Sequence, residues 1–446
     1  MYRSHSFVLG LYVSFVCILI TPATIGSEKS ETGECFKVQD YFWKHLASKT
    51  PYRYVANRND SQLVFDGCQP KKIWAIVRHG TRYPGSKFIN KMRSRLVELQ
   101  LSIVDNINEG KAKLCQSAAE NITMWTPQME LADSKRLAHE GEEEMIELAE
   151  RYQNRYPTLL GIDYTNSSFD FRCTATERTK QSKYYFLIGL FGRRVAHHVW
   201  APEPIYKDPI LRFYKLCSKW LKEVHKNPKA IGECEAFKQS QHLKDVLQSV
   251  SLRLGVKETL SYDDVDIMYT ACSYESALNR AGPSPWCHVF TKEDMEVLEF
   301  VKDLKHYWLD GYGFNINFQQ ACPLLRDMLN HLGSDDGPSS VFYFTHSGTV
   351  LKMLSHIGLY FDETKLTHDR FTHPRLWKVG HIDAFGSNLA FVSYQCGDEM
   401  KLLPLHQERP VQLPGCRKDG LCSLKKIMKT YKQSFINCDF DEMCKL

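Results

Sequence analysis

The sequence predicts an α/β protein: a mixed, mainly parallel sheet core with helices on both faces, plus an inserted, mainly helical cap. Three observations predict it. Two units of strand, polar loop and helix begin near Ile73 and Phe169. A third apolar run, Val341 to Phe344, leads to a histidine just as the first does. Between residues 196 and 330 helical spacing dominates and strand-like runs are few.

At 446 residues the chain is long enough for one large domain or two smaller ones. Its net charge of +5 is mild, and it has no long basic run interleaved with aromatics, so nucleic acid is not the expected partner. Arg3 precedes an apolar run, Phe7 to Ile20, and then small and polar residues. That pattern predicts a secretory leader over residues 1–26 rather than a membrane span. Of the 15 cysteines, Cys17 lies in the leader, which leaves 14; a high, even number in an exported chain implies disulfides. Cys416 and Cys422 are close enough in sequence to be partners. Sequons at Asn59, Asn121 and Asn166 predict surface glycans.

Ile73 to Val77 reads as a short buried strand that stops at Arg78, His79 and Gly80. The carboxyl edge of a sheet is where open α/β folds bind ligands. Two arginines, a histidine and a glycine within five residues, Arg78 to Arg82, suit a phosphate. Guanidinium groups grip its oxygens, glycine admits close backbone approach, and His79 can attack phosphorus. Helical spacing follows from Lys87 to Asn108, with Lys87 either adding a cation to the pocket or lying solvated on the helix. A second helix covers Leu137 to Tyr156, and the glutamates 142–144 read as its solvated face. Phe169 to Arg172 alternates as a strand, and the helix after it runs to about Leu190 and stops at Gly192. Three helical segments of the cap span Leu211 to Val224, Ala236 to Leu254 and Lys292 to Leu309. The third apolar run ends at His346, and Leu389 to Tyr394 closes the sheet. Cys68 precedes the first strand and Cys396 follows the last, so they bond if those strands are neighbours. His197 and His198 read as helix surface rather than a metal pair.

Arg78-His79-Gly80-Thr81-Arg82-Tyr83-Pro84 resembles the RHGxRxP signature of the histidine acid phosphatases, the phytase branch of the histidine phosphatase superfamily. The phrases around Asp208 to Tyr214 and Asp303 to Gly313 are similar to one branch of that family, the multiple inositol polyphosphate phosphatases. The resemblance implies phosphomonoester hydrolysis through a phosphohistidine on His79, with Arg78, Arg82, Arg172 and His346 holding the phosphoryl group. It implies a polyphosphorylated small molecule as substrate, with Thr81 and Lys87 as further contacts, and neither cofactor nor metal. By the same match Arg172 is the third phosphate arginine and Arg178 a supporting residue of the following helix. The core is then residues 27–195 and 331–446, discontinuous in sequence, with residues 196–330 as the cap.

One departure from the family pattern bears on mechanism. The departing alkoxide must be protonated, and relatives carry a carboxylate one or two residues after the second histidine. Here His346 is followed by Ser347, Gly348 and Thr349. A missing general acid costs about 10² to 10⁴ in rate. Asp369 or Asp383, a protonated substrate phosphate, or loss of turnover in favour of inositol phosphate binding are the open readings.

Overall fold

The structure is a computed structural model that describes residues 41–417 and 420–446. The expected leader, residues 1–26, lies outside the described residues. In chain order the framework is β1 (Cys68–Arg78), α1 (Ser86–Arg93), α2 (Arg95–Asn108), α3 (Gln116–Met124), α4 (His139–Arg155), β2 (Phe169–Cys173) and α5 (Glu177–Ala196). There follow α6 (Gln241–Arg253), α7 (Tyr262–Leu278), α8 (Lys292–Asp310), α9 (Cys322–Gly333), β3 (Ser340–Thr345) and α10 (Ser347–His356). The chain closes the sheet with β4 (Asn388–Cys396), β5 (Glu399–His406) and two short strands, β6 (Arg409–Pro410) and β7 (Cys422–Ser423).

The sheet order is β2-β3-β1-β4-β5-β6, with β7 also on β5. β2, β3 and β1 pair in parallel, and the pairings beyond β1 are antiparallel. The mixed sheet is as expected, and β1, β2, β3 and β5 all run the same way. Why β1 and β3 form strands follows from their burial. Ile73 to Arg78 and all of β3 are buried, so no polar face is required of them and the sequence reads as continuous apolar runs. Alternation still sorts their side chains. Ile73, Ala75, Val77, Phe342 and Phe344 join the cluster under α4 and α5. Trp74, Ile76, Val341 and Tyr343 join a second cluster with α9, α10 and residues 211–224 on the opposite face.

A third apolar cluster holds the helical layer. It draws on α6, α7 and α8 but equally on α1, α2 and α3. The helical spacing from Lys87 to Asn108 resolves into two helices because Ser94 leaves the helical region, at φ −118° and ψ −84°.

Cys68 lies directly opposite Cys396 across β1 and β4, and the two form a disulfide. Cys416 and Cys422 are also bonded, as are Cys217 with Cys444, Cys272 with Cys287, and Cys322 with Cys438. Cys173 and Cys234 remain buried free thiols. Asn59, Asn121 and Asn166 are all exposed.

One buried ion cluster ties the end of the sheet to α4. Glu408 is fully buried and accepts from Arg151 at 2.9 and 3.0 Å, from Tyr52 Oη at 2.7 Å, and from Arg155. Removing the carboxylate leaves the buried Arg155 without its counter-charge and Arg151 with only Glu147, 3.6 Å away. Glu408→Ala is therefore expected to lower unfolding free energy by about 3–5 kcal/mol, read from urea denaturation.

Candidate active site

Two adjacent parallel strands, β1 and β3, end side by side, with Arg78 opposite Thr345. His79 N–H donates to Thr345 O at 3.1 Å, so the ladder continues one residue beyond the strand. The next residue on each strand is a histidine, and the His79 and His346 rings lie 5.6 Å apart, edge to face. α10 begins directly after His346, so the amino end of a ten-residue helix opens on the site.

The loop after His79 is held from below. Glu144 Oε2 accepts from Thr81 N at 2.7 Å, and its Oε1 accepts from Thr81 Oγ1 at 2.9 Å and Tyr52 N at 2.6 Å. Burial pushes the Glu144 carboxyl up to about 7, with Glu140 adding to the shift. Glu144 is thus buried support for the loop, not part of a solvated helix face: its position on α4 faces the sheet. Gly80 meets α4 so closely that a Cβ there would lie 2.5 Å from Gly141 O. Only glycine fits at that crossing.

His79 is buried, and its Nδ1–H donates to Gly80 O at 2.9 Å. The lone pair therefore sits on Nε2. Burial, then the charges of Arg178, Arg78 and Arg82, hold its pKa well below the ordinary histidine value. The imidazole stays neutral, and so nucleophilic, as pH falls through 6.5. An unshifted histidine would lose activity about tenfold per pH unit below its pKa. The acid limb of kcat/KM is expected to lie clearly below pH 6.5, measured as a profile between about pH 4 and 7.

Four arginines surround the two histidines. Arg78 is buried and donates to Ser48 O at 3.0 Å and to Asp383 O, with Asp383 Oδ2 3.4 Å away. Arg82 donates to Tyr83 O at 2.7 Å and to Tyr274 Oη at 3.2 Å. Arg178 Nη2 donates to His346 Nδ1 at 3.2 Å. The charge of Arg212 also acts on His346. In all four, Nε is buried without a hydrogen-bond partner among the described residues. Arg178 is pushed down to about 10 by burial and by Arg82 and Arg212. Lys49 adds an amine beside them; burial, then Arg78, Arg82 and Lys302, push it well below the ordinary lysine value. Facing this charge from within the cluster is the buried Asp383, which also accepts from Ser347 Oγ. Such a pocket is built for an anion of high charge.

Arg172, expected as the third phosphate arginine, is placed elsewhere. On β2 it lies opposite Tyr343, two residues short of Thr345. Alternation turns it away from Phe171 and Cys173, over the Tyr343 ring at 5.1 Å, where Asp208 Oδ2 accepts from it at 3.0 Å. Arg178, at the start of α5, takes the place beside His346. Both His346 nitrogens are engaged: Nδ1 accepts from Arg178, and Nε2–H donates to Thr174 Oγ1 at 2.9 Å. Contact with a phosphoryl group requires exchanging one of these. Thr81 is buried with its hydroxyl committed to Glu144, which makes it a loop anchor rather than a substrate contact. Lys87 is exposed in the first turn of α1, whereas the groups around His79 are buried. Asp369 is exposed and bonded to Thr367 on a turn beside Glu233.

Residues 71–409 match the histidine phosphatase superfamily, branch 2. Multiple inositol polyphosphate phosphatase 1 of Drosophila melanogaster is 36% identical over 407 residues, covering 87% of this chain and 85% of that protein. The Homo sapiens protein of the same name is 29% identical over 417 residues, covering 87% and 84%. Among solved structures, the phytase from D. castellii has a TM-score of 0.73 at 19% identity, covering 90% of this chain and 87% of its own. The Bifidobacterium longum multiple inositol polyphosphate phosphatase, complexed with inositol hexasulfate, has a TM-score of 0.66 at 15% identity, covering 87% and 97%. These two likenesses are of fold. The matched span holds both strand-end histidines and the four arginines, and on these grounds the chain belongs to the histidine phosphatase superfamily, branch 2.

Proposed function

We propose that this protein is a phosphomonoesterase that removes phosphate from inositol polyphosphates, phytate among them, through a phosphohistidine on His79. The observation that carries the reading is the convergence of four guanidinium groups on a neutral histidine, with their Nε atoms and its Nε2 unpartnered among the described residues. His79 Nε2 attacks phosphorus in line with the departing oxygen. Arg78, Arg82, Arg178 and Arg212 neutralise the equatorial oxygens as charge builds on them. Water then attacks the phosphohistidine and releases phosphate. The charge of this cluster suits a substrate that carries several phosphates. The relatives named for inositol polyphosphates support that substrate class.

The disulfides and the exposed sequons support passage through the secretory pathway. The test of function is phosphate release from phytate by the purified protein, beside His79→Ala. Steady release that His79→Ala abolishes supports the enzyme. Phytate bound without release at any pH leaves a binding protein instead.

A further inference from the structure

We propose that His306, held by Asp310, is the proton donor to the departing alkoxide, a role that Ser347, Gly348 and Thr349 after His346 cannot fill. The inference rests on the phosphatase reading above and adds the residue that reading lacks.

The argument starts at Gly348. A Cβ built there would lie 3.5 Å from Asp310 Oδ1 and 3.4 Å from the Tyr214 ring. A side chain at position 348 would therefore point to where the Asp310 carboxylate already stands. The last turn of α8 thus sets a carboxylate beside the segment after His346, which has none at positions 347 to 349. Asp310 itself stays ionised: Lys352 Nζ donates to its Oδ1 at 2.7 Å, and His306 Nδ1–H donates to its Oδ2 at 3.0 Å. These partners hold its carboxyl well below the ordinary range against the pull of burial. An anion so held cannot give a proton, but it orients an imidazole that can.

Position favours His306 over the other candidate. Lys302, His306 and Asp310 are spaced by four and share one stripe of α8. The charge of Lys302 acts on Lys49, and that of His306 acts on Asp383, so this stripe borders the cationic cluster. The His306 side chain is 24% exposed, and among the described residues nothing bonds its Nε2. Asp383, by contrast, is fully buried beneath Arg78 and Ser347, where it fixes the guanidinium.

The step balances. As the bond from His79 Nε2 to phosphorus forms, the ester P–O bond breaks and its electron pair goes to the alkoxide. That oxygen takes the proton from His306 Nε2–H, and the imidazolium becomes neutral imidazole. In the second step water attacks phosphorus, the P–N bond breaks with its electron pair returning to His79 Nε2, the protons of that water leave on the phosphate, and His306 regains its proton from solvent.

The test compares leaving groups. Phytate departs as an alkoxide that needs the proton; p-nitrophenyl phosphate departs as a stabilised phenolate that does not. His306→Gln is expected to lower kcat on phytate by about 10²- to 10³-fold and on p-nitrophenyl phosphate by no more than about fivefold. Asp310→Asn, which keeps the shape beside position 348 and removes the anion that orients the imidazole, is expected to lower kcat on phytate by about tenfold or more and to spare p-nitrophenyl phosphate likewise. Thermal melting of each variant checks folding. Equal losses on both substrates, or an unchanged phytate rate, overturns the proposal. Turnover of p-nitrophenyl phosphate by the wild-type protein, lost in His79→Ala, stands whatever the part of His306, so the two readings fail separately. Absence of turnover on both substrates by the wild-type protein overturns both.

Discussion

His79→Ala is expected to lower kcat/KM on phytate by about 10⁶, which is close to background. The size follows from the lack of a substitute. The hydroxyls and the imidazole beside His79 are committed: Thr81 Oγ1 to Glu144, Ser347 Oγ to Asp383, and both nitrogens of His346 to Arg178 and Thr174. With the imidazole gone, phosphorus faces no lone pair, and the arginines only hold the ester. Binding survives for the same reason, because the guanidinium groups are untouched; the Kd for phytate is expected to change by less than about tenfold. Two measurements check this together: steady-state phosphate release, and the mass of the peptide containing residue 79 after brief mixing with substrate. The wild-type peptide gains one phosphoryl group and the variant peptide gains none. A variant that keeps more than about a hundredth of the activity would place the nucleophile on another residue.

The parts of the fold that sequence made legible are those with one dominant physical cause. β1 and β3 are buried on both faces, so their apolar runs stand out against the charged segments around them. The hairpin of β4 and β5 was legible only in its first half. β5 contains Pro404 and begins with Glu399, Met400 and Lys401, which reads as a loop, yet Leu402, Leu403 and Leu405 are fully buried. Its partner β4, not its own sequence, makes it a strand. The sharing of one helical layer by α1 to α3 and α6 to α8 was hidden for a related reason. Both sets have ordinary helical spacing, and nothing in periodicity says which helices face each other.

The site divides the same way. His79, Arg78 and Arg82 lie within one turn of chain, and local sequence was enough to place them together. Lys49, Arg212 and Asp383 come from segments far apart in sequence, and only the fold brings them to His79. Glu144 was misread because a run of glutamates on a helix is usually solvated. Its neighbours Glu142 and Glu143 do meet solvent in part, but the third falls on the stripe that faces Thr81 and Tyr52.

Arg178→Ala is expected to lower kcat/KM on phytate by about 10² to 10³, whereas Arg172→Ala is expected to leave it within about threefold of wild type. Both arginines flank the same turn, and the motif alone favoured Arg172. Strand alternation decides otherwise. Arg172 is still inside β2, and its side chain lies across the sheet face over Tyr343, paired with Asp208. Arg178 has passed through the turn and stands at the strand ends, where its charge is the largest of those acting on both His79 and His346. Its loss removes a guanidinium from the phosphoryl oxygens and releases His346 Nδ1 at once. Arg178→Lys keeps charge without the planar fork and is expected to recover about a tenth of the activity. Arg172→Ala shows itself in stability instead. Asp208 is buried and keeps its bonds from Ile210 N and Leu211 N at 2.8 Å, but loses its counter-charge, for an expected cost of about 1–3 kcal/mol in urea denaturation. Steady-state kinetics and denaturation of the two variants thus exchange places: activity falls in one and stability in the other. If Arg172→Ala instead loses activity to the extent of Arg178→Ala while its unfolding curve is unchanged, the assignment of the third phosphate arginine returns to β2.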